Sequence, residues 1–136
     1  MFKHILVPMD LGGRNQKALR TAKQLARYTG ARVSLLHVVQ SIENIPRGEL
    51  RAFYETLENA ARKKLSAAAR AIGAAAVEVH VEVRIGNPPH EIVRYADESH
   101  ADLIVMTSHR VSKVQGFSTT SYKVGILCRC PVLLLK

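Results

Sequence analysis

Leu103-Ile104-Val105-Met106 is the part of this chain that most clearly indicates its fold class. Four consecutive large apolar residues leave no polar face, so this run suits a β-strand that is covered on both sides, as strands are in a parallel sheet between two layers of helices. Four more strand-like runs occur, and longer stretches with helical spacing separate them. The five predicted strands are His4 to Pro8, Val33 to Val39, Val77 to Arg84, Leu103 to Thr107 and Val132 to Leu135.

One predicted strand differs from the others because it alternates strictly between valine and polar residues. Val77 to Arg84 reads Val-Glu-Val-His-Val-Glu-Val-Arg. A period of two leaves one face of a strand polar. This strand is therefore predicted to lie at an edge of the sheet, and the four apolar strands are predicted to lie inside it.

Four helices are predicted from apolar spacing and from residues that start or end helices. The first carries an apolar stripe of Ala18, Ala22, Leu25 and Ala26 and ends at Gly30; the second runs from about Glu49 to Ile72; the third begins at Pro88 with Asn87 as its N-cap; the fourth runs from about Ser118 to Leu127. The buried side of the second helix is predicted to consist of Leu50, Phe53, Leu57, Ala61, Leu65, Ala68 and Ile72.

Length and charge limit the possible classes of protein. The 136 residues suffice for one domain with its own core, here residues 1–136. The apolar run near the N-terminus is too short for a signal peptide, and no segment approaches the roughly 20 apolar residues of a membrane span, so we expect a cytoplasmic protein without membrane insertion. The net charge of +9 makes nucleic acid, acidic protein surfaces and phosphate-bearing ligands all plausible partners.

The sequence offers few residues for catalysis or metal binding. Cys128 and Cys130 are predicted to be reduced thiols, because their spacing cannot close the long loop that makes a disulfide stabilising. They are not predicted to bind zinc, because the second half of a zinc site is missing. Neither a Gly-x-Ser-x-Gly elbow nor an HExxH helix occurs, and Gly12-Gly13 does not continue into a dinucleotide fingerprint. The prediction is a protein without catalytic or metal-binding residues, although slow ATP hydrolysis stays open.

Polar residues follow the first and fourth strands, at the edge of the sheet where parallel α/β proteins bind ligands. Asp10 comes directly after the first strand, where its carboxylate can accept hydrogen bonds from an adenine amino group or a ribose hydroxyl. Capping of the first helix is an equally open role for it. His109 and Arg110 follow the fourth strand and can reach the phosphates of a ligand there, although such a pair is also common at protein surfaces.

The segment that leads into the fourth helix is rich in hydroxyl side chains. Ser118, Thr119, Thr120 and Ser121 exceed what one N-cap requires. The free N–H groups of a helix N-terminus also bind anions. This pattern favours contact with phosphate over a plain cap.

Four segments together resemble the universal stress proteins, over essentially the whole chain. They correspond to that family's opening strand and aspartate, its second strand with a Leu-His-Val unit, its Gly-x-Pro turn and its fourth strand: His4 to Asp10, Val33 to Val39, Ile85 to Ile92 and Ala101 to Met106. The resemblance implies an open parallel sheet of five strands in the order 3-2-1-4-5 with helices on both faces, Rossmann-like or adenine nucleotide alpha hydrolase-like. It also implies a homodimer joined through the last strand, here Pro131 to Lys136.

The same resemblance concerns the phosphate loop. Nucleotide-binding members carry a Gly-x2-Gly-x9-Gly-Ser/Thr motif after the fourth strand. This chain departs from that motif: Thr107 and Arg110 stand at the first two glycines, and Ser118-Thr119 stands at the final pair after seven intervening residues. Side chains at glycine positions narrow the space for phosphate, while the charge of Arg110 can replace lost N–H donors.

These observations predict a stress-response or regulatory protein that binds ATP or a related adenine nucleotide, with magnesium as a possible companion ion. The predicted ligand-binding residues are Pro8, Met9, Asp10, Val38, Met106, Thr107, His109, Arg110, Ser118 and Thr119. The alternative is a nucleotide-free dimeric interaction module that docks a protein partner or another acidic surface. Nucleic acid is the least favoured of these partners.

Overall fold

Five strands alternate with helices in the computed structural model, which describes residues 1–73, 76–108 and 119–136. The strands are β1 (His4–Pro8), β2 (Arg32–Gln40), β3 (Val79–Gly86), β4 (Leu103–Thr107) and β5 (Val132–Leu135). The helices are α1 (Gln16–Thr29), α2 (Arg51–Gly73), α3 (Pro88–Glu98) and α4 (Thr120–Leu127), and a short 3₁₀ turn at Arg47–Leu50 precedes α2. No helix in these described ranges is long and apolar enough to cross a membrane.

The strands form one parallel sheet in the order β3-β2-β1-β4-β5, which confirms the predicted order. β1 lies in the centre and is buried along its whole length, as its apolar sequence predicts. β5 forms one edge, so the prediction that the four apolar strands lie inside the sheet is wrong for β5, whose Leu133 and Leu134 are exposed. β3 forms the other edge, as predicted, but it begins at Val79 and not at Val77. The reason is that Ala76 has a left-handed backbone (φ 62°), so the chain still turns before Val79 pairs with Val33.

Helices cover both faces of the sheet and enclose two separate cores. The core beneath α1 and α2 includes Ile5, Val7, Leu35, Ala22 and Leu65. The core beneath α3 and α4 combines the alternate residues of the strands, Leu6, Leu36, Ile104 and Met106, with Ile92 of α3 and Val124 of α4. Successive residues of a strand point to opposite faces, so strands covered on both sides need the continuous apolar sequence seen in β1 and β4.

Two predicted helix starts and one predicted end can be compared with the structure. Gly30 ends α1 with a left-handed backbone (φ 75°), as predicted. Asn87 caps α3, its side chain accepting a hydrogen bond from the His90 N–H. The fourth helix begins at Thr120 with Thr119 as its cap, slightly later than the predicted start near Ser118, which lies outside the described residues.

The buried side of α2 was predicted correctly except at Phe53. Ala61, Leu65 and Ile72 are buried, and Leu50, Leu57 and Ala68 are partly buried against the same core. Phe53 is 47% exposed, whereas its neighbour Tyr54 is 2% exposed. The Tyr54 hydroxyl accepts a hydrogen bond from the Ile42 N–H at 2.8 Å. This bond lets a tyrosine occupy the position beneath the helix, because its polar atom has a partner there.

A buried polar network joins β1, β2 and α3. His4 Nδ1 lies 3.0 Å from the Ser99 carbonyl oxygen, and His4 Nε2 lies 2.6 Å from Ser34 Oγ. Since a carbonyl can only accept, Nδ1 carries the proton and Nε2 accepts from Ser34, whose Oγ in turn accepts from the Tyr95 hydroxyl at 3.3 Å. Burial lowers the pKa of His4 below its usual value, which favours this neutral arrangement.

Candidate functional site

A cavity of about 190 Å³ opens at the carboxyl ends of β1, β2 and β4, the edge at which parallel sheets bind ligands. It forms where the chain leaves β1 towards one face of the sheet while α3 and α4 begin on the other. The described residues that line it are Pro8, Met9, Asp10, Asn15, Leu36, His37, Val38, Pro88, Ile92, Met106, Thr107, Thr120 and Ser121.

The structure places six of the ten predicted site residues around this cavity: Pro8, Met9, Asp10, Val38, Met106 and Thr107. Thr119 does not line it; it caps α4 through a hydrogen bond from the Tyr122 N–H to its Oγ1. Its neighbours Thr120 and Ser121 do line the cavity. The remaining three predicted residues, His109, Arg110 and Ser118, lie outside the described residues.

The inner wall of the cavity is apolar. Leu36, Val38, Ile92 and Met106 belong to the core beneath α3 and α4, and each is less than a tenth exposed. Pro8 ends β1 beside them. A wall of this kind favours a flat, weakly polar group such as an aromatic ring, because such a group loses little hydration on entering.

His37 joins the ends of two strands at the cavity. Its Nδ1 donates a hydrogen bond to the Met9 carbonyl oxygen at 2.8 Å, and the Met9 N–H donates to the Leu36 carbonyl at 2.8 Å. The Nδ1 proton leaves Nε2 of the neutral ring as an acceptor. Sequence reasoning did not select His37; the signal available was its place in the Leu-His-Val unit at the end of the second strand.

Asp10 organises the loop between β1 and α1. Its Oδ1 accepts hydrogen bonds from the Gly12 N–H at 2.8 Å and from Asn15 Nδ2 at 3.3 Å, while Asn15 Nδ2 also donates to the Asp10 carbonyl at 2.7 Å. The N-cap of α1 is Asn15, so the capping role considered for Asp10 is wrong. The Asp10 side chain is exposed, and its second oxygen carries no hydrogen bond from a described residue.

The outer wall of the cavity is polar and belongs to two elements. Thr120 and Ser121 form the first turn of α4, whose free N–H groups carry partial positive charge. On the opposite side, Thr107 Oγ1 donates a hydrogen bond to the Arg14 carbonyl at 3.1 Å and ties the end of β4 to the β1–α1 loop. The cavity therefore combines an apolar slot, a carboxylate and a helix N-terminus.

The residues that the structure describes include no group of three or more metal-ligating side chains. Cys128 and Cys130 are free thiols whose sulfur atoms lie 3.2 Å apart. Burial and the hydrogen bond with Cys128 raise the pKa of Cys130 to about 12. This thiol therefore stays protonated at neutral pH, which is unsuitable for a nucleophile or a metal ligand.

A family model described as the universal stress protein family matches residues 1–136. The chain belongs to the universal stress protein family. Its relatives include universal stress protein YxiE of Bacillus subtilis, 29% identical over 148 residues that span the whole of both chains. This agrees with the resemblance that four segments of the sequence suggested.

Solved structures extend the likeness to three dimensions. The structure of hypothetical protein MJ0577, a universal stress protein of Methanocaldococcus jannaschii, superposes with a TM-score of 0.84 at 26% identity and covers 100% of this chain and 96% of that one. The universal stress protein from Archaeoglobus fulgidus in complex with dAMP gives a TM-score of 0.69 at 25% identity, with coverage of 99% and 98%. The Rossmann-like arrangement of the sheet and helices is shared with these proteins.

Proposed function

We propose that this universal stress protein binds an adenine nucleotide, ATP or a related compound, in the cavity at the carboxyl ends of β1, β2 and β4. The observation that supports this most strongly is the combination, in one cavity, of an apolar slot and the N-terminus of α4. Those two features match the two chemically different ends of a nucleotide, a flat base and an anionic phosphate.

The base would lie against the apolar wall. The cavity volume of about 190 Å³ is below the range of roughly 300–1,000 Å³ typical for whole drug-sized ligands, so it suits the ring rather than the whole nucleotide. Pro8, Val38 and Met106 would contact the ring. The Asp10 oxygen that receives no hydrogen bond from a described residue would accept one from a ribose hydroxyl or from the adenine amino group.

The phosphates would extend towards α4. Thr120 and Ser121 supply N–H groups and hydroxyls at the helix N-terminus, and Thr119 holds that turn in place through its cap. His109, Arg110 and Ser118 are proposed as further phosphate ligands from the sequence. A magnesium ion would be carried by the phosphates themselves, since Asp10 is the one carboxylate among the described lining residues.

The relative from Archaeoglobus fulgidus supports the choice of ligand class, because its structure is a complex with dAMP. We propose binding rather than turnover for this chain. Among the described lining residues, Asp10 and His37 are the candidates for a general base. Each contacts the β1–α1 loop through one atom, Oδ1 and Nδ1 respectively, and the second oxygen of Asp10 is proposed to bind the ribose or the adenine ring. A regulatory role that follows nucleotide occupancy fits these residues better than hydrolysis.

Isothermal titration with ATP and magnesium tests the proposal, beside Asp10→Asn and Arg110→Ala variants. Asparagine keeps the acceptor for the Gly12 N–H and replaces the free oxygen by an NH₂ donor. A hydrogen bond to a charged group contributes about 1.5–3 kcal/mol, so we expect Asp10→Asn to weaken binding by at least about tenfold. Asp97→Asn is the matched control, since Asp97 is exposed on α3 and does not line this cavity.

Tripolyphosphate distinguishes a nucleotide site from general attraction to a chain of charge +9. A specific site binds ATP more tightly than tripolyphosphate, and only ATP loses affinity in Asp10→Asn. Equal binding of both ligands, weakened equally by salt, would refute the adenine site. An absence of heat with either ligand would favour the second candidate, a nucleotide-free interaction module that docks an acidic protein partner.

We also propose that two copies of the chain associate through the last strand, Pro131 to Lys136. β5 is an edge strand, and apolar side chains on it and on α4 are exposed: Ile126, Leu127, Leu133 and Leu134. An exposed apolar edge is a site of association unless another chain covers it. In sedimentation equilibrium we expect Leu134→Glu to dissociate the dimer, while Ile45→Glu, at a similarly exposed loop residue, leaves it intact.

A further inference from the structure

A second and larger cavity, of about 500 Å³, lies between α1 and α2 on the other face of the sheet. It meets the first cavity only at the β1–α1 loop, where both contact Met9, Asp10 and Asn15. The other described residues that line it are Leu11, Gly13, Gln16, Leu19, Arg20, Lys23, Lys64, Ala67, Ala68, Ala71 and Ile72.

The floor of this cavity is apolar and exists because small side chains separate the two helices. Leu19 of α1 and Ile72 of α2 are buried at its base. Between them α2 presents Ala67, Ala68 and Ala71, whose single methyl groups leave space that a leucine or isoleucine would fill. The cavity is therefore a groove along α2 with an aliphatic surface.

The groove is lined by three cations, Arg20, Lys23 and Lys64, and by one carboxylate, Asp10, at its β1–α1 end. Arg20 and Lys23 stand on α1, three residues apart, which places their Cβ atoms about 5–6 Å from each other on one side of the helix. Lys64 stands on α2, where its Nζ donates to the Leu11 carbonyl at 3.1 Å. In the described part of the chain, no ion pair joins any of these three cations to a carboxylate.

We propose that this groove binds an organic anion with an elongated aliphatic body, of the long-chain carboxylate class. The volume falls within the range of about 300–1,000 Å³ typical of ligand cavities. Arg20 and Lys23 receive the carboxylate, and the aliphatic chain lies on the alanine surface of α2. The alanine surface along α2 and the cations on both helices distinguish this groove from the slot at the strand ends, so the ligand proposed here differs in class from that of the first cavity.

Decanoate, below its micelle concentration, is the probe. In a ¹H–¹⁵N NMR titration we expect saturable shifts in residues 16–23 and 64–72, and none of similar size with decyltrimethylammonium, which has the same chain and the opposite charge. Acetate, which has the charge without the aliphatic chain, is expected to bind at least about a hundredfold more weakly, because each buried methylene strengthens binding by roughly fourfold.

Two pairs of variants locate the site. Ala71→Leu fills the groove, whereas Ala60→Leu makes the same change at an exposed position of α2 outside it; Lys23→Glu reverses a rim charge, whereas Arg70→Glu reverses an exposed charge outside the lining. We expect Ala71→Leu and Lys23→Glu each to weaken decanoate binding at least tenfold, and their controls to bind as the wild type does.

Three results would overturn the proposal: shifts scattered over the surface, equal affinity for decanoate and decyltrimethylammonium, or equal affinity of Ala71→Leu and Ala60→Leu. Shifts centred on Val38 and Ile92 would also overturn the proposal, since they would place the aliphatic chain of decanoate in the first cavity. A thermal unfolding midpoint of Ala71→Leu equal to that of the wild type would show that the fold of this variant is intact. The proposal does not depend on nucleotide binding, because Ala71 does not line the first cavity.

Discussion

Replacement of Ser34 by alanine should destabilise the protein far more than the loss of one hydroxyl from a surface would. Ser34 is 2% exposed on β2, and its Oγ is the partner of both His4 Nε2 at 2.6 Å and the Tyr95 hydroxyl at 3.3 Å. His4 and Tyr95 are themselves 2% and 6% exposed. Alanine therefore leaves two buried polar atoms without this partner.

The expected loss follows from those two groups. A buried donor or acceptor left unsatisfied costs about 1–3 kcal/mol. The hydrogen bond from the Tyr95 hydroxyl to Ser34 is the longer of the two, so its loss is expected to cost an amount at the lower end of that range. We expect Ser34→Ala to lower the free energy of unfolding by about 2–4 kcal/mol, a large share of the roughly 5–15 kcal/mol by which proteins are stable.

Urea denaturation followed by circular dichroism measures this loss, as a lower midpoint with an unchanged slope. Ser66→Ala, at a half-buried position of α2, is the control and should shift stability by no more than about 0.5 kcal/mol. The double variant Ser34→Ala with Tyr95→Phe should lose less than the sum of the single variants, because the phenylalanine has no hydroxyl to leave unpaired. A loss below about 0.5 kcal/mol for Ser34→Ala would refute the closed network.

Two further predictions concern pH and backbone packing. Burial lowers the pKa of His4 in the folded state below the value near 6.5 that the histidine has in the unfolded state. The unfolded state therefore binds more protons than the folded state once the pH drops below about 6.5. The contribution of His4 to stability is complete above that pH and falls as the pH drops towards the folded pKa. Urea midpoints at pH 7.5 and pH 5.5 should show this fall, and His4→Gln should have a smaller one; equal falls would contradict the assignment to His4. At Gly86, an added Cβ would lie 2.8 Å from Glu91 Cγ and displace a side chain that is ion-paired to Arg94, so we expect Gly86→Ala to cost about 1–3 kcal/mol. Gly73→Ala, with open space around its Cβ, is the control, and Gly86→Ala with Glu91→Ala should recover stability if the clash is the cause.

The candidate site was foreseen only in part. The residues that end strands β1 and β4 could be selected because the carboxyl edge of a parallel sheet is a general ligand position. His37 and Asn15 were not selected, because their roles depend on hydrogen bonds to Met9 and Asp10 that a local pattern does not reveal; the Leu-His-Val unit indicates only that His37 lies near the end of β2. The capping role considered for Asp10 failed for the same reason, since Asn15 is the residue at which α1 begins.

The sequence by itself determined the strands and helices, because fully apolar strands and helix-ending residues are local patterns with few structural solutions, while the order of the strands followed from the family resemblance. β1 and β4 were located to the residue, and the polar alternation near β3 indicated its place at an edge. Tertiary structure alone decided that Tyr54 and not Phe53 is buried, since the choice depends on a hydrogen bond to Ile42. It also decided that a charged groove lies between α1 and α2, because that groove arises from the distance at which two helices, far apart in sequence, pack on the same sheet.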